Sequence, residues 1–148
     1  MRAVVQRVTE AKVTVDGETV GAISNGLCVL LGVSVDDTAA DADYITDKLL
    51  GLRIFDDENG VPNKSVQDTF GAILLISQFT LMGDARKGRR PSYIDAARPE
   101  QAIPLYERCI ERLSASVPVE TGRFGADMKV SIQNDGPFTI LLDSKKGF

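Results

Sequence analysis

The chain has 148 residues, the size of one domain. Lys plus Arg is 17 and Asp plus Glu is 21, a net charge of −4 that excludes a surface basic throughout but allows a local basic patch. There is no histidine, which removes Ser-His-Asp and Cys-His catalysis and any zinc site that uses imidazole.

The first third reads as β. Ala3–Val8 and Val13–Val15 are rich in β-branched residues and partly alternate. Asp16-Gly17 is a two-residue hairpin signal, and Glu18–Ile23 is the return strand. Asn25-Gly26 turns into Leu27–Val33, apolar on both faces and therefore a central strand. Thr38, with Asp41 three residues on, is the expected start of a helix whose Ala42, Ile45, Leu49 and Leu52 fall at helical spacing. Asp56–Gly60 is a polar turn, and Ala72–Gln78 is a second apolar strand. Gly83–Pro99 is a long loop rich in Arg, Lys, Gly and Pro, a length often tied to function. A second helix is expected over Pro99–Ala115, kinked or delayed by Pro104. Two closing strands, Met128–Gln133 and Phe138–Asp143, are joined by a turn at Asn134–Pro137. Two helices and about seven strands, mostly in hairpins, predict an α+β fold with a curled, mostly antiparallel, barrel-like sheet over a single domain, 1–148.

Cys28 and Cys109 are too few and too far apart for a Cys₄ site or a Cys-x-x-Cys, and are expected as buried free thiols. No metal or other cofactor is expected. The N-terminal segment lacks the apolar core of a signal peptide, and no apolar run reaches the ~20 residues that span a bilayer. The expectation is a cytoplasmic protein without membrane association.

Three segments carry candidate chemistry. Ser77-Gln78-Phe79-Thr80-Leu81 groups two hydroxyls and an amide where a strand meets a loop. An ordinary strand end and a site both fit that composition. Thr80 is the one candidate nucleophile, and no histidine is present to activate it. Arg86, Lys87, Arg89 and Arg90 place four cations within five residues, as either a solvated loop or a phosphate-contacting one. Lys145-Lys146 could add to that patch. Arg123 and Asp127 are expected to form a structural ion pair. In Asn134-Asp135-Gly136-Pro137 the rarity of cis X-Pro bonds, ~5–6%, predicts a trans bond.

Five segments in order, Met1–Val8, Ser77–Leu81, Arg89–Tyr93, Thr121–Met128 and Asn134–Thr139, make the chain resemble the bacterial D-aminoacyl-tRNA (D-tyrosyl-tRNA) deacylases from end to end. Phe138 stands where that family commonly has Val. The resemblance implies a homodimer that hydrolyses the ester between a D-amino acid and the terminal ribose of tRNA. Glycine mischarged on the alanine tRNA is a second expected substrate. It implies a cis Gly136-Pro137 pair, inserted from one subunit into the other's site. There it would face Ser77, Gln78, Phe79 and Thr80 and exclude L side chains. Arg7 and Asn134 would support the pair, and Arg86, Lys87, Arg89 and Arg90 would contact the tRNA acceptor end. The Phe79 and Thr80 N–H groups would stabilise an oxyanion, with the substrate 2′-hydroxyl orienting water in place of an enzyme base. Two competing readings are a deacylase acting on a wrong L-amino acid and a non-enzymatic RNA-binding dimer.

Overall fold

The computed structural model describes residues Met1–Phe148. The chain order is β1 (Arg2–Val15), β2 (Glu18–Ile23), β3 (Gly26–Gly32), α1 (Ala39–Gly51), β4 (Phe55–Asp56), β5 (Pro62–Lys64), β6 (Ala72–Ser77), a 3₁₀ turn (Phe79–Met82), α2 (Pro99–Ser114), β7 (Val119–Thr121) and β8 (Lys129–Asp143). One six-stranded sheet carries the fold, in the order β2-β1-β3-β6-β7, with β8 also paired to β1. The α+β class and the nearly closed, barrel-like sheet agree with the sequence reading. The β3–β6 and β6–β7 pairings are parallel, the others in this sheet antiparallel.

Strand β1 is continuous. One of its edges is shared between β3, along Arg2–Val8, and β2, along Ala11–Val15. The other edge belongs to β8. The central strands are buried on both faces. In β6, Ile73 and Leu75 join a core under α1 and α2, while Leu74 and Ile76 join a second core on the opposite face. This accounts for the apolar runs in β3 and β6 that show no alternation. Ala42, Ile45 and Leu49 of α1, and Ala102, Tyr106, Cys109 and Leu113 of α2, cover the first face. Both cysteines are free and buried, and burial pushes each thiol up to about 12. The Met1 ammonium, fully buried, donates to Asp37 Oδ1 at 2.7 Å and to Ser144 Oγ at 2.8 Å, tying the start of β1 to the ends of two other segments.

Three expectations change. α2 starts at Pro99 and continues through Pro104. Pro104 is exposed, so the Glu100 carbonyl that loses its partner faces water and the delayed start is unnecessary. The polar turn after α1 is part of a two-stranded hairpin, β4–β5. The two closing strands are one strand, β8, and Asn134–Pro137 is not a chain reversal. Both halves pair antiparallel with β1, at Glu10↔Gln133 and at Gln6↔Thr139. Between Val8↔Asn134 and Gln6↔Thr139, two steps of β1 are matched by five of β8, so the extra residues bulge from the sheet.

Closure of the sheet relies on a close approach at Gly21 of β2. A Cβ there would lie 2.2 Å from the Thr121 carbonyl oxygen of β7. Gly21→Ala is therefore expected to destabilise the protein by roughly 1–3 kcal/mol, as overpacking does. Urea unfolding measures this, and an unchanged midpoint would show that β2 and β7 do not meet as described.

Candidate active site

A cleft of about 250 Å³ opens at the end of β6. Ser77, Gln78 and Phe79 line it together with Ala102 and Tyr106 of α2, Phe124–Ala126 and Met128. The chain leaves β6 through a tight turn. Gln78 N–H donates to the Leu31 carbonyl at 2.7 Å, and the turn's own bonds begin with Leu81 N–H to the Gln78 carbonyl at 3.2 Å. The Phe79 and Thr80 N–H groups therefore stand at the open, donor-rich end of the turn. The Gln78 side-chain amide donates to Thr80 Oγ1. The Phe79 ring packs edge-on against Tyr93, with centroids 5.2 Å apart, which joins the turn to the basic loop.

The cleft is mostly apolar and holds no Asp, Glu, Lys or Arg. Its one titratable side chain is Tyr106. That hydroxyl donates to the Leu75 carbonyl at 2.7 Å, and burial pushes its pKa above the ordinary tyrosine value. It cannot serve as a base near neutral pH. Chemistry here must come from positioned N–H groups, hydroxyls and the ligand itself. Tyr106, Phe124 and Met128 are not among the expected site residues, although Phe124 and Met128 lie in the Thr121–Met128 segment that carries the family resemblance. Tyr106 has the spacing of an ordinary core residue, and only the tertiary contact places its ring at the cleft.

Gly136-Pro137 lies elsewhere in the chain. Its peptide bond is cis, as the family resemblance implied and contrary to the frequency of such bonds. The pair crowns the β8 bulge opposite Arg7. Gly136 has φ +127°, and a Cβ would sit 3.2 Å from Arg7 Nη2 and 3.1 Å from the Phe138 nitrogen. Only glycine suits both conditions. Arg7 is almost fully buried. Its Nε donates to the Asp135 carbonyl at 3.2 Å, its Nη1 donates to the Ile54 carbonyl at 2.7 Å, and its guanidinium lies 4.9 Å from the Phe138 ring centroid. Asn134 brackets the bulge: its Oδ1 accepts from Phe138 N–H at 2.7 Å and its Nδ2 donates to Thr139 Oγ1 at 3.1 Å.

Ser77 pairs with Leu31, and Leu31 with Ala3. Gly136 is therefore three strand spacings away, and four residues further along β1. That separation is on the order of 20 Å at ordinary sheet dimensions. Within one chain the turn and the Gly-Pro pair are not brought together.

The basic loop follows the turn directly. Arg86 is not a free cation: it forms a bidentate pair with Asp84, at 2.9 and 2.7 Å. Lys87, Arg89 and Arg90 form no ion pair. Lys145 does not extend this patch, because it pairs with Asp41 at 3.0 Å. The expected Arg123–Asp127 pair is absent, and Asp127 lies 3.8 Å from Lys129 instead. The Phe124–Ala126 backbone turns between Arg123 and Asp127.

Hydrogen bonds from Arg86 hold the Asp84 carboxyl down at about 2. The stabilisation is present above the ordinary Asp range and fades as pH falls towards about 2. NMR titration should find Asp84 at about 2, and Arg86→Ala should raise it part of the way towards the usual carboxylate range, because the backbone N–H of residue 86 still donates to Asp84 Oδ1. An ordinary value in the unaltered protein would show that the pair does not form.

Comparison with known proteins places this geometry in a family. The family model for D-Tyr-tRNA(Tyr) deacylase matches residues 4–143. D-aminoacyl-tRNA deacylase of Symbiobacterium thermophilum is 59% identical over 149 residues, covering 100% of this chain and 99% of that protein. The protein of the same name from Kosmotoga olearia is 58% identical, with both chains covered completely. Among solved structures, c-Myc DNA unwinding element binding protein superposes with a TM-score of 0.92 at 47% identity, covering 97% of this chain and 98% of that one. A probable eukaryotic D-amino acid tRNA deacylase shares the fold, with a TM-score of 0.83 at 18% identity, covering 95% and 97%. A match over nearly the whole length, with relatives this similar, establishes that the chain belongs to the D-Tyr-tRNA(Tyr) deacylase family of hydrolases.

Proposed function

We propose that the chain hydrolyses the ester joining a D-amino acid to the terminal ribose of tRNA, and acts in the same way on glycine carried by the alanine tRNA. The observation that carries this reading is the base-free cleft beside the Phe79 and Thr80 N–H groups, in a chain similar throughout to deacylases. Water adds to the ester carbonyl. The two N–H groups stabilise the resulting oxyanion. The carbon–oxygen bond to ribose then breaks, and the ribose oxygen takes the proton. An aminoacyl ester is already activated, so orientation supplies much of the rate gain, up to roughly 7–11 kcal/mol for well-placed groups. The substrate 2′-hydroxyl orients the water, and Thr80 is not a covalent nucleophile.

Selectivity belongs to Gly136-Pro137 of a second copy, in a homodimer. The separation of the pair from Ser77–Thr80 within one chain supports an arrangement across subunits. So does β8, which pairs only with β1 and leaves an edge of a 15-residue strand free. A backbone carbonyl without a Cβ beside it can approach the substrate α-carbon closely. An L side chain collides there, a D side chain points away and glycine has nothing to reject. Lys87, Arg89 and Arg90 are placed to hold the phosphates of the acceptor end. The setting is cytoplasmic, no cofactor is needed, and no helix is long and apolar enough to cross a membrane.

Matched D- and L-tyrosyl-tRNA test this directly: D-tyrosine should be released and L-tyrosine retained, and preference for the L ester would refute the reading. Thr80→Ala should keep most of the turnover, whereas an acceptor ending in 2′-deoxyadenosine should lose it. Loss with Thr80→Ala in a folded dimer, or unchanged turnover of the deoxy substrate, would overturn the mechanism. Arg90→Ala should weaken binding of every tRNA alike and lower the slope of log affinity against log salt by about 1. Filter binding across a salt series measures this, and an unaltered slope would remove Arg90 from the interface.

A further inference from the structure

The β4–β5 hairpin has no place in the chemistry above. It lies off the main sheet, as its own two-stranded unit. It is nevertheless closely organised. Asp57 Oδ1 accepts from the Asn59 and Val61 N–H groups at 2.8 and 3.1 Å, and Asp57 N–H donates to the Val61 carbonyl at 2.9 Å. Arg53 donates to the Asn63 carbonyl and side chain, closing the open end. Phe55 anchors the hairpin in the core, while Asp56 beside it is exposed and turned to the other side of the strand.

The hairpin reaches Arg7. The Ile54 carbonyl, at its entry, accepts from Arg7 Nη1, and Asp56 Oδ1 lies 3.6 Å from the same nitrogen. On the opposite side, Asp135 Oδ2 lies 3.3 Å from Arg7 Nε. The guanidinium is thus held between two carboxylates, one on the hairpin and one on the Gly-Pro bulge. Its remaining nitrogen, Nη2, faces Gly136. From this juxtaposition we infer that Asp56 is a positioning residue for chiral selectivity, acting through Arg7 on Gly136-Pro137. The inference rests on the proposed role of that pair.

The physical argument turns on where the guanidinium settles. With Asp56 present, the charge is balanced on both sides and Nη1 stays on the hairpin. Without it, Asp135 is the one carboxylate left, the Ile54 carbonyl alone holds Nη1, and the guanidinium is less firmly fixed. The Gly136 backbone then loses its fixed backing. A D substrate does not press on that backbone, so its turnover changes little. An L substrate is rejected by that backbone, so a looser pair admits it more often. Selectivity is a difference between two rates, and Asp56 affects one of them.

The experiment compares D- and L-tyrosyl-tRNA hydrolysis by the unaltered dimer and by Asp56→Asn, Asp56→Glu and Glu58→Gln. Asp56→Asn is expected to lower the D-over-L ratio by up to about fivefold, the upper end for a half-exposed ion pair, with the D rate retained. Asp56→Glu should restore the ratio. Glu58→Gln, which removes the partner of Lys64 without touching Arg7, should leave it unchanged. If the unaltered protein releases D- and L-tyrosine equally, the role of Gly136-Pro137 itself fails. If the unaltered protein discriminates and Asp56→Asn keeps the full ratio, or slows both substrates equally, only the inference about Asp56 is overturned.

Discussion

Strand β1 pairs along both of its edges, and the positions of both candidate segments depend on this. Through β3 it fixes the register of β6, and so the point where Ser77 leaves the sheet and the 3₁₀ turn begins. Through β8 it fixes where the extra residues of Asn134–Pro137 must bulge. A slip of one residue in the β8 pairing would turn its inward face outwards, and a slip in the β3 pairing would exchange the side chains that fill the two cores. The two buried cores, one on each face of the sheet, make such a slip costly.

The cleft at the end of β6 is notable for what it is built from. Its walls are mostly apolar, its polar side chains are Ser77, Gln78 and Tyr106, and the Tyr106 phenol is committed to a backbone carbonyl. Such a site cannot generate a strong nucleophile, but it can orient a reactive ester and receive negative charge on an oxygen. The absence of histidine therefore excludes one way of hydrolysing an ester and not hydrolysis itself. The same economy holds for charge. With a net charge of −4, the basic loop still gathers three cations without an ion pair, Lys87, Arg89 and Arg90. Tyr93 docks that loop against the turn.

Arg7 shows how a buried cation organises backbone at a distance. It is paired with Asp56 and Asp135, donates to two carbonyls and faces an aromatic ring, so its charge is balanced as burial demands. Each of those partners belongs to a different segment of the chain or a different side of the bulge. The hairpin, the first strand and the Gly-Pro bulge thereby become one mechanical unit, although they are separated by many residues in sequence.

Local chemistry was legible in the chain itself. The Asp16-Gly17 hairpin, the Thr38–Asp41 helix start and the apolar runs of β3 and β6 each depend on neighbours within a few residues, and all are found. The segments Ser77–Leu81 and Asn134–Thr139 were also visible as candidates, since their composition and order are sequence properties. Whether Asn134–Pro137 reverses the chain was not. A turn and a bulge share the same residues, and only the pairing of both flanks with β1 decides between them. Tyr106 was indistinguishable from any core residue of α2, and Arg86 from its neighbouring cations, until folding set one beside the cleft and the other on Asp84. The sequence determined which groups are available and which local shapes they favour. The tertiary structure decided which groups meet, because contacts between distant segments depend on strand register and burial.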